Sequence, residues 1–226
     1  MRVCAIVVAA GKGKRLKSKT PKPLVKLAGK PLIVYSLQAL SRHPAVQEII
    51  VVANPSGAGV IAGVIKQYRI GKIKSIVLGG RRRQDSVYNG LRAVADDSGL
   101  VLVHDAARPF IDKAMISAAL KQAAAFGAAI AGVPVKATIK KAKNKNFVEK
   151  TIDRSSLWEI QTPQVFRKDL LLAAFKKSGM ADVTDEAMLI EISGGKVAIT
   201  PGSYNNIKVT SPEDLVLAKA IIKNGI

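Results

Sequence analysis

The segment RVCAIVVAAGKGKRL, residues 2–16, decides how the rest of the chain is read. It opens on eight uninterrupted apolar residues, Val3 to Ala10, and passes straight into a loop of alternating Gly and Lys. Eight residues fall far short of the roughly 18 needed to cross a bilayer, but suit a strand covered on both faces. The basic loop that follows has no cleavage-site pattern, so the run is not the core of a secretory signal. Its single cysteine, Cys4, has no partner for an internal disulfide and reads as a packed thiol in a reducing compartment, which points to a cytoplasmic protein.

Working outward, short apolar runs alternate with longer amphipathic segments, the pattern of β-α-β units around a mainly parallel sheet. Strands are expected at Arg2 to Val8, Glu48 to Ala53, Lys74 to Leu78, Leu100 to His104 and Ala128 to Pro134. Helices are expected at Pro31 to Arg42, Asp85 to Ala95, Asp112 to Phe126 and Ser211 to Lys223, the last opened by the capping signature Ser-Pro-Glu-Asp. The fold class is therefore α/β, Rossmann-like, with helices flanking a mainly parallel central sheet. From Val135 to Ile160 the rhythm changes to alternating β-branched and basic residues around a Lys/Asn-rich turn. This reads as a projecting β-arm, residues 135–160, inserted in one domain of residues 1–226. An isolated two-stranded ribbon is marginal in water, so the arm implies a partner, and the simplest is the same arm of a second subunit in a homodimer. Trp158 and Phe166 read as packing at the base of the arm.

At 226 residues, 48% hydrophobic and 23% charged, the chain is neither disordered nor collagen-like. Its formal charge is +20, and up to Gln84 there are 17 Lys or Arg against one acid, Glu48. A nucleic-acid binder would carry such charge on a continuous face with interleaved aromatics. Here aromatics are 4% of the chain, and the cations concentrate in two glycine-containing loops, Lys12 to Lys26 and Arg81 to Arg83. Those loops, and the turn HDAARP from His104, follow the first, third and fourth strands. In an open α/β sheet that edge is where ligands bind. Glycines let backbone N–H groups approach phosphate oxygens, cations neutralise them, and a lone carboxylate such as Asp105 can hold a divalent ion that bridges phosphates. The loop is not a dinucleotide fingerprint, which needs Gly where Leu16 stands, and lacks the Gly-Lys-Ser/Thr of a Walker loop. Lys22, between Pro21 and Pro23, is the best-positioned ammonium. His104 reads as a packed strand-end residue and His43 as a surface one.

With these residues in view, the chain resembles the 2-C-methyl-D-erythritol 4-phosphate cytidylyltransferase family. The resemblance rests on AAGKGKRL, GGRRRQDSV, VLVHDAARPF, PVKATIK, TIDRSSLWEIQTPQVF, TDEAMLIE and NNIKVTSPEDL, in that order, from Val3 to Lys219. It implies cytidylyl transfer from CTP to 2-C-methyl-D-erythritol 4-phosphate, with release of pyrophosphate and with Mg²⁺ or another hard divalent cation. It implies that Arg15 and Lys22 neutralise the triphosphate, with Ala10, Gly11 and Gly13 making loop contacts. Gly80 and Ser86 would hold the base and ribose, and Asp105 would bind nucleotide and metal. Arg108, Thr138, Arg154, Thr184 and Lys208 match positions that grip the acceptor, with Arg154 and Lys208 counted among the catalytic set. Thr138 and Arg154 lie on the arm and are expected to reach a neighbour's site. Pro23, Arg81 and Asn205 depart from the family's usual Gln and two acids, so Arg81 inherits no nucleotide-binding role. A ribitol 5-phosphate enzyme of the same superfamily is the nearest alternative, with Ala107 favouring methylerythritol phosphate. A non-enzymatic nucleic-acid binder is the alternative from another class. No specific nucleic acid and no membrane are expected as partners.

Overall fold

The computed structural model describes residues 1–11, 13–16, 18, 20–144, 146–178 and 182–225. Lys12, Lys17 and Lys19 of the first basic loop and Lys145 of the arm's turn lie outside the described residues. In chain order the strands are β1 (Arg2–Val8), β2 (Lys26–Leu27), β3 (Lys30–Pro31), β4 (Glu48–Ala53), β5 (Ile73–Leu78), β6 (Ser98–Asp105), β7 (Ala128–Pro134), β8 (Ile139–Asn144), β9 (Phe147–Ile152), β10 (Trp158–Arg167) and β11 (Ala198–Pro201). The helices are α1 (Leu32–Arg42), α2 (Pro55–Gln67), α3 (Arg83–Arg92), α4 (Lys113–Phe126), α5 (Lys168–Ser178), α6 (Glu186–Ile192) and α7 (Pro212–Lys223).

Among the described residues the main sheet has seven strands in the order β11-β7-β10-β6-β1-β4-β5. The expected apolar runs all form strands, and β1 pairs in parallel with both β4 and β6. The sheet is mixed because β10 runs antiparallel between β6 and β7. That strand was not legible: Gln161, Thr162, Pro163 and Gln164 interrupt its apolar character, and proline ordinarily argues against a central strand. The three polar residues are nevertheless buried. Because β10 runs against its neighbours, its first half reaches the edge that β6 reaches with its last residues.

Alternate residues of β1 enter two cores. Val3, Ala5 and Val7 pack with α1, α2 and α4, while Cys4, Ile6 and the sheet's other face pack with α3, α5 and α6. Burial pushes the Cys4 thiol up to about 12, as expected of an inert packed cysteine. A third cluster joins Leu16, Leu27 and Leu32 to Val209, Ala218 and Ile221 under α7. It fixes the first loop against the segment bearing Lys208. Phe166 is fully buried on β10, away from the arm's base, whereas Trp158 is 41% exposed. Phe166→Ala should cost about 3–5 kcal/mol. For a chain of this size that is a fall of about 6–20 °C in the thermal midpoint, and an unchanged midpoint would contradict the packing.

Helix starts follow capping chemistry more closely than the sequence boundaries did. Asp112 accepts the Met115 N–H at 2.7 Å, and Ser211 and Asp214 form a reciprocal capping box at the start of α7. Helix α3 begins two residues before Asp85, whose carboxylate accepts the Arg82 N–H at 3.0 Å from the third helical position. His43 is a correction: it is 4% exposed, with Nε2 3.0 Å from Ser117 Oγ, because the turn after α1 is covered by α4. Strands β8 and β9 pair with each other as a separate two-stranded sheet, on which Phe147 and Val148 are exposed. No helix is long and apolar enough to cross a membrane among the described residues.

Candidate nucleotide and acceptor site

The turns after β1, β5 and β6 converge because each is tied to a neighbouring strand. Ala9 N–H donates to Val52 O at 2.7 Å, Gly79 N–H to Ala53 O at 2.8 Å, and Ala106 N–H to Val8 O at 3.1 Å. Between them lies a cavity of about 510 Å³. Ala10, Gly11, Gly13, Arg15 and Lys22 line it from the first turn, Gly80 and Ser86 from the second, and Asp105 and Lys208 from the far wall. Gly11, Gly80 and Asp105, distant in sequence, therefore face one common space.

Glycine is required at two of these positions. Gly13 sits at φ 61°, and a Cβ there would lie 2.6 Å from Lys22 Cβ, so only a bare backbone lets the lysine segment close over the turn. A Cβ on Gly80 would lie 2.4 Å from Asp85 Cβ, which sets this turn tightly on the start of α3. Ser86 Oγ accepts the Gly80 N–H and donates to Arg82 O, each at 3.1 Å, so the hydroxyl shapes the turn as well as lining the cavity.

Lys22 opens a short 3₁₀ turn and is flanked by prolines. Burial lowers its pKa to about 8, helped by the positive charges of Lys208 and Arg15 and opposed by Asp105. Its ammonium charge is therefore lost as pH rises through about 8 in the free protein. If that charge binds phosphate, kcat/KM for the nucleotide falls on the alkaline side of about 8. Lys22→Arg, always cationic, removes that limb. A wild-type profile flat up to the ordinary lysine range would refute the role.

Asp105 is held from both sides. Lys208 Nζ lies 2.6 Å from its Oδ2, and the Arg83 Nη2 lies 3.3 Å from its Oδ1. Burial alone would raise the Asp105 pKa, but Arg83 and Lys208 together outweigh it and hold the carboxyl below the usual range. His104 fixes the turn beneath. Its Nε2 donates to Arg108 O at 3.0 Å and its Nδ1 accepts from Thr162 Oγ1 at 2.9 Å, while the Asp105 N–H donates to the same hydroxyl. Burial lowers the His104 pKa to about 4, so the ring is a neutral brace.

A second cavity, of about 230 Å³, adjoins the first and shares Arg83, Asp105 and Lys208 with it. Arg108 and Thr184 line this one. Arg108 is buried and already donates to the carbonyls of Asn206, at 2.7 Å, and Ile160, at 3.4 Å. Thr138 and Arg154 line neither cavity: both are exposed on the arm side, and the Arg154 guanidinium donates to Lys136 O. Sequence reasoning placed Arg83 in a basic loop without a role of its own, and gave none to Glu186, its ion-pair partner at 2.7 Å, to Thr162, which lines the second cavity, or to Asn206, whose Nδ2 donates to Thr162 O. The TDEAMLIE motif contained Glu186, but nothing in it pointed to Arg83.

Strand-end turns of an α/β sheet that enclose a cation-lined cavity of about 510 Å³ beside a second of about 230 Å³ suit the nucleotidyltransferase class, which brings a nucleotide and a second anionic substrate together. A sequence profile of the family described as "IspD: 2-C-methyl-D-erythritol 4-phosphate cytidylyltransferase" matches residues 3–224. The chain is 44% identical to the 2-C-methyl-D-erythritol 4-phosphate cytidylyltransferase of Pelotomaculum thermopropionicum over 98% of its own length and 94% of that protein's. It is 46% identical to the protein of that name from Geobacillus kaustophilus, with 96% of each covered. The crystal structure of 4-diphosphocytidyl-2C-methyl-D-erythritol synthase from Anaerococcus prevotii superposes with a TM-score of 0.87 at 31% identity, covering 98% of this chain and 96% of that one. The chain belongs to the 2-C-methyl-D-erythritol 4-phosphate cytidylyltransferase family.

Proposed function

We propose that the protein transfers the cytidylyl group of CTP to 2-C-methyl-D-erythritol 4-phosphate, giving 4-diphosphocytidyl-2-C-methyl-D-erythritol and pyrophosphate in isoprenoid precursor synthesis. The observation that carries this beyond family membership is the shared wall of the two cavities. Arg83, Asp105 and Lys208 face both spaces, so a nucleotide in one and a phosphate monoester in the other meet at a single cationic boundary. A phosphate oxygen of the acceptor attacks the α-phosphorus in line. The new P–O bond forms as the bond from the α-phosphorus to the β-bridging oxygen breaks, and pyrophosphate leaves with that electron pair. The attacking oxygen is already ionised, so no strong base is needed, and positioning with charge stabilisation carries the rate.

In this reading Lys22 and Arg15 stabilise charge on the triphosphate, and Gly11 and Gly13 offer backbone to it. Gly80 and Ser86 bound the base end, while Arg108, Thr184 and Lys208 hold the acceptor. Among the described residues no group of three or more His, Cys, Asp or Glu is placed to hold a metal. One carboxylate, Asp105, nevertheless fits Mg²⁺ taken up with the nucleotide, because this ion ordinarily uses one or two carboxylates plus substrate phosphates and water. When bound there it supplies charge neutralisation of the phosphates.

The exposed positions of Thr138, just before β8, and Arg154, two residues after β9, support a homodimer in which each arm serves the partner's acceptor site. Sedimentation at micromolar concentration is expected to give a species of twice the 24.0 kDa chain mass; a 24.0 kDa species would remove that role for the arm. Turnover with CTP, Mg²⁺ and either methylerythritol phosphate or ribitol 5-phosphate, followed by pyrophosphate release, tests the acceptor. Preference for ribitol 5-phosphate would overturn the assignment.

A further inference from the structure

The Glu186 carboxylate is wholly buried, at the first position of α6, and lines neither cavity. Both its oxygens accept from one nitrogen, Arg83 Nη1, at 2.8 and 2.7 Å. The same guanidinium reaches Asp105 Oδ1 through Nε and Nη2, at the longer distances of 3.4 and 3.3 Å. Arg83 is thus held firmly from behind and loosely in front, and its loose side faces both cavities. Burial alone would lower the Arg83 pKa; Asp105 and Glu186 together outweigh it, and the cation is permanent. A buried carboxylate is costly unless paired, and a pair that only braced α6 against α3 would be served as well by apolar side chains.

We propose that Arg83 contacts a phosphate at the boundary between the two cavities, exchanging its long bonds to Asp105 for phosphate oxygens, and that Glu186 is the positioning residue that keeps it there. This rests on the cytidylyl-transfer reading above. It adds to that reading a cation on the shared wall, beside Lys208, and a buried anchor with no substrate contact of its own. An incoming phosphate meets a planar donor already oriented, as arginine is suited to present.

The test is a double-mutant cycle on the full chain with Arg83→Met, Glu186→Gln and the double variant. Turnover is read at saturating CTP and acceptor, CTP affinity by calorimetry, and the fold by circular dichroism and thermal midpoint. Arg83→Met is expected to lower turnover about 100-fold, the scale for removing one preorganised donor. Glu186→Gln should lower it about tenfold or more. If Glu186 acts through Arg83, the double variant is no slower than Arg83→Met alone, since residues acting as one unit are non-additive. CTP affinity should show the same lack of additivity. Losses that multiply, or Glu186→Gln turnover close to wild type, would overturn the proposal. So would a turnover loss that disappears when the assay is cooled below a lowered thermal midpoint, because that marks a merely structural pair. Should Glu186→Gln fail to fold, Arg83→Met with Glu186→Leu removes both charges and is compared with Arg83→Met in the same way. A wild-type protein without turnover would sink the proposed reaction instead, and calorimetry with CTP would still read the cycle.

Discussion

Lys22→Ala is expected to lose about 100- to 1,000-fold in turnover, or about 2.7–4 kcal/mol of transition-state stabilisation, with its circular dichroism unchanged. Three features make the loss this large. The ammonium is half-buried at the wall of the 510 Å³ cavity. Its backbone is stiffened by Pro21 and Pro23. Gly13 lets that segment approach so closely that even a methyl group would collide with Lys22 Cβ, at 2.6 Å. A cation so placed needs no reorganisation when charge develops on the α-phosphate, which is where such donors contribute most. Arg15→Ala should lose a comparable factor. It lines the same cavity, and no ion-pair partner competes for it among the described residues. Steady-state kinetics of both variants would decide the matter, and near-normal turnover in both would strip these residues of their roles while leaving the fold untouched.

Asp105→Asn should cost at least about 100-fold in turnover, on the scale of removing a single preorganised charge in a water-poor site. Asparagine keeps the shape and leaves Arg83 and Lys208, the two cations now held at Asp105, without their shared anion. It also removes the one carboxylate on the cavity wall suited to a nucleotide-bound divalent ion. The pH behaviour follows from the direction of the shift. The native carboxyl titrates below its ordinary range, so Asp105 adds stability that is present above the unfolded-state pKa and is lost as pH falls through the lower native one. Asp105→Asn should therefore lower the thermal midpoint at neutral pH, and the gap to wild type should close on acidification. Kinetics and unfolding of the pair at two pH values would check both halves; full turnover in Asp105→Asn would contradict the charge argument.

How far the sequence revealed this arrangement depended on how local each signal was. The strands β1, β4, β6 and β7 were visible because burial on both faces writes itself as a continuous apolar run, and the half-exposed edge strand β5 because it ends on Ile76, Val77 and Leu78. The turns after them were visible because close backbone approach demands glycine and phosphate demands cations. Strand β10 was hidden because its edge half is built from polar residues whose partners are elsewhere: Gln161 Nε2 donates to Ser203 O, and Asn206 Nδ2 donates to Thr162 O. His43 looked exposed because a histidine before proline resembles a surface turn, and only the packing of α4 over it says otherwise. The Arg83–Glu186 pair spans 103 positions. Its charges look like the solvated residues that surround them until the fold brings α3 and α6 together. The family resemblance supplied the acceptor residues that spacing could not, and two of these, Thr138 and Arg154, stand apart from the cavities of their own chain.

In the proposed reaction one cavity, bounded by Gly11, Gly80 and Asp105, receives the nucleotide. A crystal structure of the protein with CTP tests it most directly. The triphosphate should lie beside Gly11 and Gly13 with its α-phosphate in contact with Lys22, and the base should rest beside Gly80 and Ser86. A nucleotide bound outside this cavity, with Lys22 facing solvent, would contradict the account.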